Sequence, residues 1–276
     1  MFEKFARSWS LVKASAAVLR ADKELLWFPV ISSIAAMLVA ATFLVPSFLS
    51  GLFDGGAGPI SIVVGFLFYV TQFTVIFFFN SALVGAALIR LEGGDPTVAD
   101  GLRIARERFG AIVGYAVIAA VVGLLIKALE QRSEWLGAMV ARLLGAAWTV
   151  STFLVVPVLV AQNVGPIDAI KESFGLLKKS WGENLIGNVG LGFAFGLLTL
   201  VVILLGAGLI VAAALTAGAT AAIVIGALVV IAVIALAVTQ AALAGIYQAA
   251  VYRFAVDGQA PVGFDGATLQ GAFRHK

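Results

Sequence analysis

Five uncharged amides lie inside long apolar runs, and they are the residues of this 276-residue sequence whose types and spacing could do chemistry. Gln72 and Asn80 stand eight residues apart in one run, and Gln240 and Gln248 repeat that spacing in another. On an α-helix such a pair sits two turns apart and about 80° around the axis. Asn188 lies near the start of a third run. Carboxamides donate and accept hydrogen bonds without ionising, so these side chains either line a polar cavity or bond helices together at roughly 0.6 kcal/mol per bond. Arg142 is the one cation well inside a run, with Glu130 and Glu134 as nearby acids. Its stem is long enough to snorkel outward, and an anion-attracting role is the alternative.

Other chemistry is poorly provided for. The chain has no Cys, and its single His is His275, one residue from the end. Disulfides, thiolate sites and histidine ligand sets are therefore excluded. Glu92, Asp95, Asp168 and Glu172 border the apolar runs, where a place near a helix start is explanation enough. Ser151 and Thr152 have no base beside them. We expect no catalytic residue, metal or cofactor. The formal charge of +3 is too small to argue for nucleic acid.

The elements that must hold these amides are membrane helices. The composition is 62% hydrophobic and 12% charged, with a mean hydropathy of +1.07. A soluble domain runs near one quarter charged, so this chain reads as an integral membrane protein. Apolar runs long enough to span occur at Leu25–Val45 (stopped by Pro46), Ile60–Leu91, Ala111–Leu129 and Leu136–Ala161. From Glu183 to Arg253 no charge interrupts, and Thr216–Thr220 is the best break, giving spans over Leu185–Leu215 and Ala221–Tyr252. Of the 18 Lys and Arg, 15 fall on alternate segments under this reading. By the positive-inside rule both termini are cytoplasmic and the spans number six. A cleaved leader is not expected, because residues 1–23 scatter their basic groups and the run that follows is too long.

The fold class expected is all-α: a six-span bundle with short amphipathic cytoplasmic helices at the N-terminus and between spans 2–3 and 4–5. Residues 1–23 carry apolar positions at Phe2, Phe5, Trp9, Val12, Ala16 and Leu19, a stripe suited to the interface or to packing on the bundle. Residues 24–256 form the membrane domain and 257–276 a cytoplasmic tail. The two inner connections share a plan: Pro96 or Pro166 opens a helix, acid precedes base, and Phe109-Gly110 or Trp181-Gly182 turns the chain back. A parallel repeat over 60–129 and 136–216 would explain this, as would convergent helix-start chemistry. Close helix approach is permitted at Gly110/Gly114, Gly192/Gly196 and Ser81/Gly85.

Leu19–Pro29, Val155–Val160, and Gly165–Lys171 through Trp181-Gly182-Glu183 resemble a family of uncharacterised prokaryotic polytopic membrane proteins. More loosely, the Pro166-Ile-Asp-Ala…Trp181-Gly182 pattern is similar to the membrane domains attached to some glycerophosphodiester phosphodiesterases. The resemblance implies a fold in the prokaryotic inner membrane but no activity and no catalytic residues.

We expect a non-enzymatic membrane protein that binds or organises membrane lipids or membrane-protein partners, a second copy of itself included. The alternative is a small-solute channel or transporter with a cytoplasm-facing vestibule lined by Gln72, Asn80, Asn188, Gln240 and Gln248. Against it, such proteins usually recruit intramembrane carboxylates or broken helices, and neither is evident in the sequence. A cysteine placed at position 270 of this Cys-free chain should react with an impermeant maleimide only from the side that carries the N-terminus. Labelling from the opposite side would require an odd number of spans.

Overall fold

The computed structural model describes residues 2–52, 58–132, 136–179 and 184–258 with Pro261 and Phe264; within these, side chains of 2–11, 132, 136, 179, 184–191 and 193–194 are outside the description. Among the described residues the regular structure is entirely helical: α1 (Phe2–Ala21), a 3-10 turn (Lys23–Leu26), α2 (Trp27–Leu49), α3 (Pro59–Leu91), α4 (Val98–Glu107), α5 (Phe109–Arg132), α6 (Leu136–Ser151), α7 (Val155–Ala161), α8 (Pro166–Lys179), α9 (Asn184–Thr216) and α10 (Ala219–Asp257). Apolar runs without charged interruption favour the structure that satisfies every backbone polar group within one segment. Six helical stretches are long and apolar enough to cross a membrane: Lys23–Leu49, Pro59–Leu91, Phe109–Gln131, Gly137–Ala161, Phe195–Thr216 and Ala219–Asp257.

Their boundaries follow local chemistry. The 216–220 break is a turn at Ala217-Gly218, where Gly218 has φ +87°, a region that glycine adopts without penalty. Pro46 does not stop α2, which runs on to Leu49. It sits in the last turn, where the lost N–H costs one bond and the Ser47 hydroxyl donates to the Phe43 carbonyl at 2.6 Å. Pro166 opens α8 as the pattern implies, but Pro96 stands one residue before the cap of α4. There Thr97 and Asp100 form a reciprocal capping box, and the Thr97 hydroxyl bond holds the Asp100 carboxyl down to about 2.

The fourth span is broken into α6 and α7, which corrects the expectation of one uninterrupted run and of no broken helix. Pro157 has no N–H to give the Phe153 carbonyl, and its ring crowds that turn, so Thr152–Leu154 separates α6 from α7. Ser173 of α8, fully buried, repairs the gap. Its hydroxyl donates to the Ser151 carbonyl at 2.8 Å and accepts from the Leu154 N–H at 3.1 Å. The inner face of α8 carries Ala169, Ser173, Leu176 and Leu177, so this amphipathic helix is packed against the bundle along α5, α6 and α7.

Packing is lopsided. Buried residues concentrate in Ser81–Leu91 of α3, Ile112–Ala120 of α5, Phe153–Val160 and Ala242–Phe254 of α10. We call this the base end. Helix α7 is buried on every side, against α3, α8 and α10. Polar links between connections stitch the base: Glu24 accepts from the Val98 N–H at 3.1 Å, Arg253 pairs with Glu92, Arg108 bonds Asn163, and Gln162 donates to the Tyr252 hydroxyl at 3.2 Å. These links bring the start of α2 and the ends of α3, α7 and α10 together. Away from the base, α9 and α10 pack mainly on each other and expose Leu204, Leu205, Ile223 and Ile231. Helix α1 packs on α9 and α10 through Val12, Ser15, Val18 and Leu19, so Ser15 takes the place expected of Ala16. Of the expected tail, only Pro261 and Phe264 fall among the described residues beyond Gly258.

Replacing Ser173 by Ala should lower stability by about 1–3 kcal/mol, because the buried Leu154 N–H loses its partner. Thermal unfolding in detergent measures this, and an unchanged midpoint would mean that the break is satisfied otherwise.

Candidate functional site

Small and neutral side chains of α2, α3 and α10 leave a cavity of roughly 250 Å³ between these helices, toward the base end. Helix α3 contributes Ile76, Phe79, Asn80 and Leu83, residues that fall on one face at helical spacing. Ala241, Ala244, Gly245 and Gln248 do the same for α10, and Pro29 and Ser32 close the third side from α2. Close approach at Gly245 sets the geometry: a Cβ there would lie 2.5 Å from Leu83 Cδ2 and 3.5 Å from Asn80 Oδ1. Glycine thus lets α10 sit against α3 and keeps Asn80 at the cavity wall.

The floor is closed by buried Pro29 and Leu83, and the rim by exposed Ile76 and Ala241. The cavity therefore opens on the flank of the bundle. Toward the interior lie the buried residues of α7 and the buried Tyr247, whose ring centroid is 6.2 Å from that of Phe153.

Three lining groups can hydrogen-bond. Gln248 Oε1 is buried and has no partner among the described residues. Asn80 faces it from α3. Of the two adjacent serines, Ser33 turns its hydroxyl back to the Pro29 carbonyl at 2.7 Å, and Ser32 is the one that lines the cavity. No ionisable side chain is among the lining residues. The nearest cations along α3 and α10 are already engaged: Arg253 with Glu92 and with Asp257 (2.9 Å), Arg90 with Asp95 (3.4 Å). Such a lining can hold a neutral polar group.

Of the amides singled out by sequence, the fold brings together Asn80 and Gln248. Gln72 lies two turns further along α3, outside the cavity, with Oε1 buried and unpartnered among the described residues. Gln240 is half-buried on α10 and is not part of the lining. The side chain of Asn188 lies outside the described residues, as does Glu134. Arg142 is exposed on α6, apart from the cavity. Sequence reasoning missed Pro29, Ser32 and Gly245. The usable signals were a polar residue one turn after Pro29 and a glycine three positions before an intramembrane Gln. The close approaches expected of Gly85 and Gly114 are real, against Ile104 of α4 and Pro166 of α8, each 3.0 Å from an added Cβ. Among the described residues, no such neighbour lies within 4 Å of Gly110, Gly192 or Gly196.

An unpartnered buried amide is a cost of about 1–3 kcal/mol in the empty protein. Gln248→Met should therefore leave the unfolding midpoint of delipidated protein unchanged or raised. A drop of about 0.6 kcal/mol or more would identify Gln248 as an interhelical tie instead.

No curated protein matches this chain. Residues 59–264 match the model of a family of unknown function, DUF6159. The match takes in α3 to α10, and with them two of the three cavity walls; the α2 wall lies before it. With well over half of its length matched, the chain belongs to the DUF6159 family of unknown function.

Proposed function

We propose that this is a non-enzymatic, multi-pass protein of the prokaryotic cytoplasmic membrane, with both termini in the cytoplasm, that binds or organises lipid. The observation that carries this reading is the position of its polar cavity, on the flank past Ile76 and Ala241, where an embedded helix bundle meets lipid. A solute path would instead call for polar groups along the interior, and at the base end the interior is packed with Leu154, Val155, Val158 and Tyr247.

The connecting elements support the same orientation and role. Arg20, Lys23, Arg106, Lys171 and Lys178 are exposed there. Trp27, Phe109, Ile167 and Phe174 are exposed among them, at 57, 48, 59 and 46%. Basic groups interspersed with aromatic and aliphatic ones suit a headgroup layer bearing anionic lipid.

Reconstituted into liposomes, the protein should release neither potassium nor glycerol faster than protein-free vesicles, and native mass spectrometry should find phospholipid retained after mild detergent extraction. A leak abolished by Asn80→Leu, together with lipid-free protein, would establish permeation and overturn the reading.

A further inference from the structure

We infer that the cavity between α2, α3 and α10 receives the ester-linked junction of a diacyl glycerolipid, with one acyl chain leaving past Ile76 and Ala241. This inference rests on the lipid-binding reading above and adds the part of the lipid that is recognised.

Depth is the first argument. Trp27 is exposed at the start of α2, and tryptophans so placed mark the headgroup level. Ser32 lies five residues further along, about 7.5 Å deeper at 1.5 Å per residue. The interfacial layer is itself only about 5–7 Å thick on each side of the hydrocarbon. Ser32 therefore sits where headgroup gives way to acyl chain, the level of the glycerol esters.

Chemistry is the second. Ester carbonyls accept hydrogen bonds and carry no charge. Ser32 presents a hydroxyl, and Asn80 and Gln248 present carboxamides that expose an N–H₂ on turning about the terminal bond. The neutral lining excludes a phosphate or an ammonium group from the cavity itself. The cations nearest the cavity along α3 and α10, Arg90 and Arg253, are each paired with carboxylates.

Size is the third. Roughly 250 Å³ is below the ~300–1,000 Å³ that encloses a drug-sized ligand, so only a piece of a larger molecule fits. The remainder must lie outside, and the apolar rim of Ile76 and Ala241 provides for a hydrocarbon chain.

The test uses the full chain in liposomes doped with phosphatidylcholine or phosphatidylglycerol carrying a diazirine near the carboxyl end of one acyl chain. After photolysis, labelled peptides are mapped by mass spectrometry. Label should concentrate on 29–32, 76–83 and 241–248, equally for both headgroups. It should fall about threefold or more in Gln248→Leu, the scale of one lost neutral hydrogen bond. Ala241→Phe, at the exposed rim, should do the same by obstruction while its unfolding midpoint stays at that of the parent. Uniform labelling of α9 and α10, labelling with the anionic probe alone, or insensitivity to both substitutions would overturn the inference. Retained phospholipid with no label at this cavity would sink the ester site and spare the lipid-binding reading, whereas solute flux would sink the reading itself.

Discussion

A peptide group inside an apolar helix bundle has no water to turn to, so every backbone N–H that loses its helical partner must be met by another protein atom. That constraint organises this molecule. In the turn ahead of Pro157 the Leu154 N–H leaves the helical ladder, and a serine delivered from a different helix accepts its hydrogen bond. Because Ser173 must reach Leu154, α8 cannot drift free as a surface helix; it is pinned along the broken span. The first N–H of α4 is likewise met from far away in sequence, by the Glu24 carboxylate, which also complements the positive end of that helix. Both connections are thereby tied into the bundle by polar contacts from segments distant in sequence.

These ties gather the packing at one end. The base is built from Ala, Gly, Ser and Val positions that let α3, α5, α7 and α10 come close, and large side chains fill what remains, Tyr247 and Phe28 among them. A carboxylate takes part as well: Asp22 caps the 3-10 turn through the Glu24 N–H, and burial pushes its carboxyl up from the ordinary range despite that bond and the nearby Arg90. Away from the base the helices keep mainly hairpin contacts, α9 with α10 above all, and their leucines and isoleucines point outward. The flank cavity falls at the transition between these regimes, where α2, α3 and α10 have begun to part and small residues leave space that no side chain among the described residues fills.

Much of this was legible in the sequence, because apolar length, charge placement and turn chemistry act locally. The all-helical class, six stretches able to cross a membrane, the glycine turn at 217–218 and the amphipathic α4 and α8 all follow from residues within a few turns of one another. The polar residues worth watching were legible too, since an amide in a charge-free run stands out whatever its partners. What remained open was which amides meet. Asn80 and Gln248 converge, and Gln72 and Gln240 do not join them, because that outcome depends on the rotation and crossing of α3 against α10. Gly245 sets this crossing through its contact with Leu83, and neither hydropathy nor spacing reports such a contact. The break in the fourth span was half visible: Pro157 announces a missing hydrogen bond, but only the tertiary structure brings Ser173 to the Leu154 N–H and the Ser151 carbonyl in the turn, since it lies on a separate helix. Local patterns thus determined the elements and their ends, whereas side-chain contact between distant segments decided where the polar groups collect and on which side of the bundle they open.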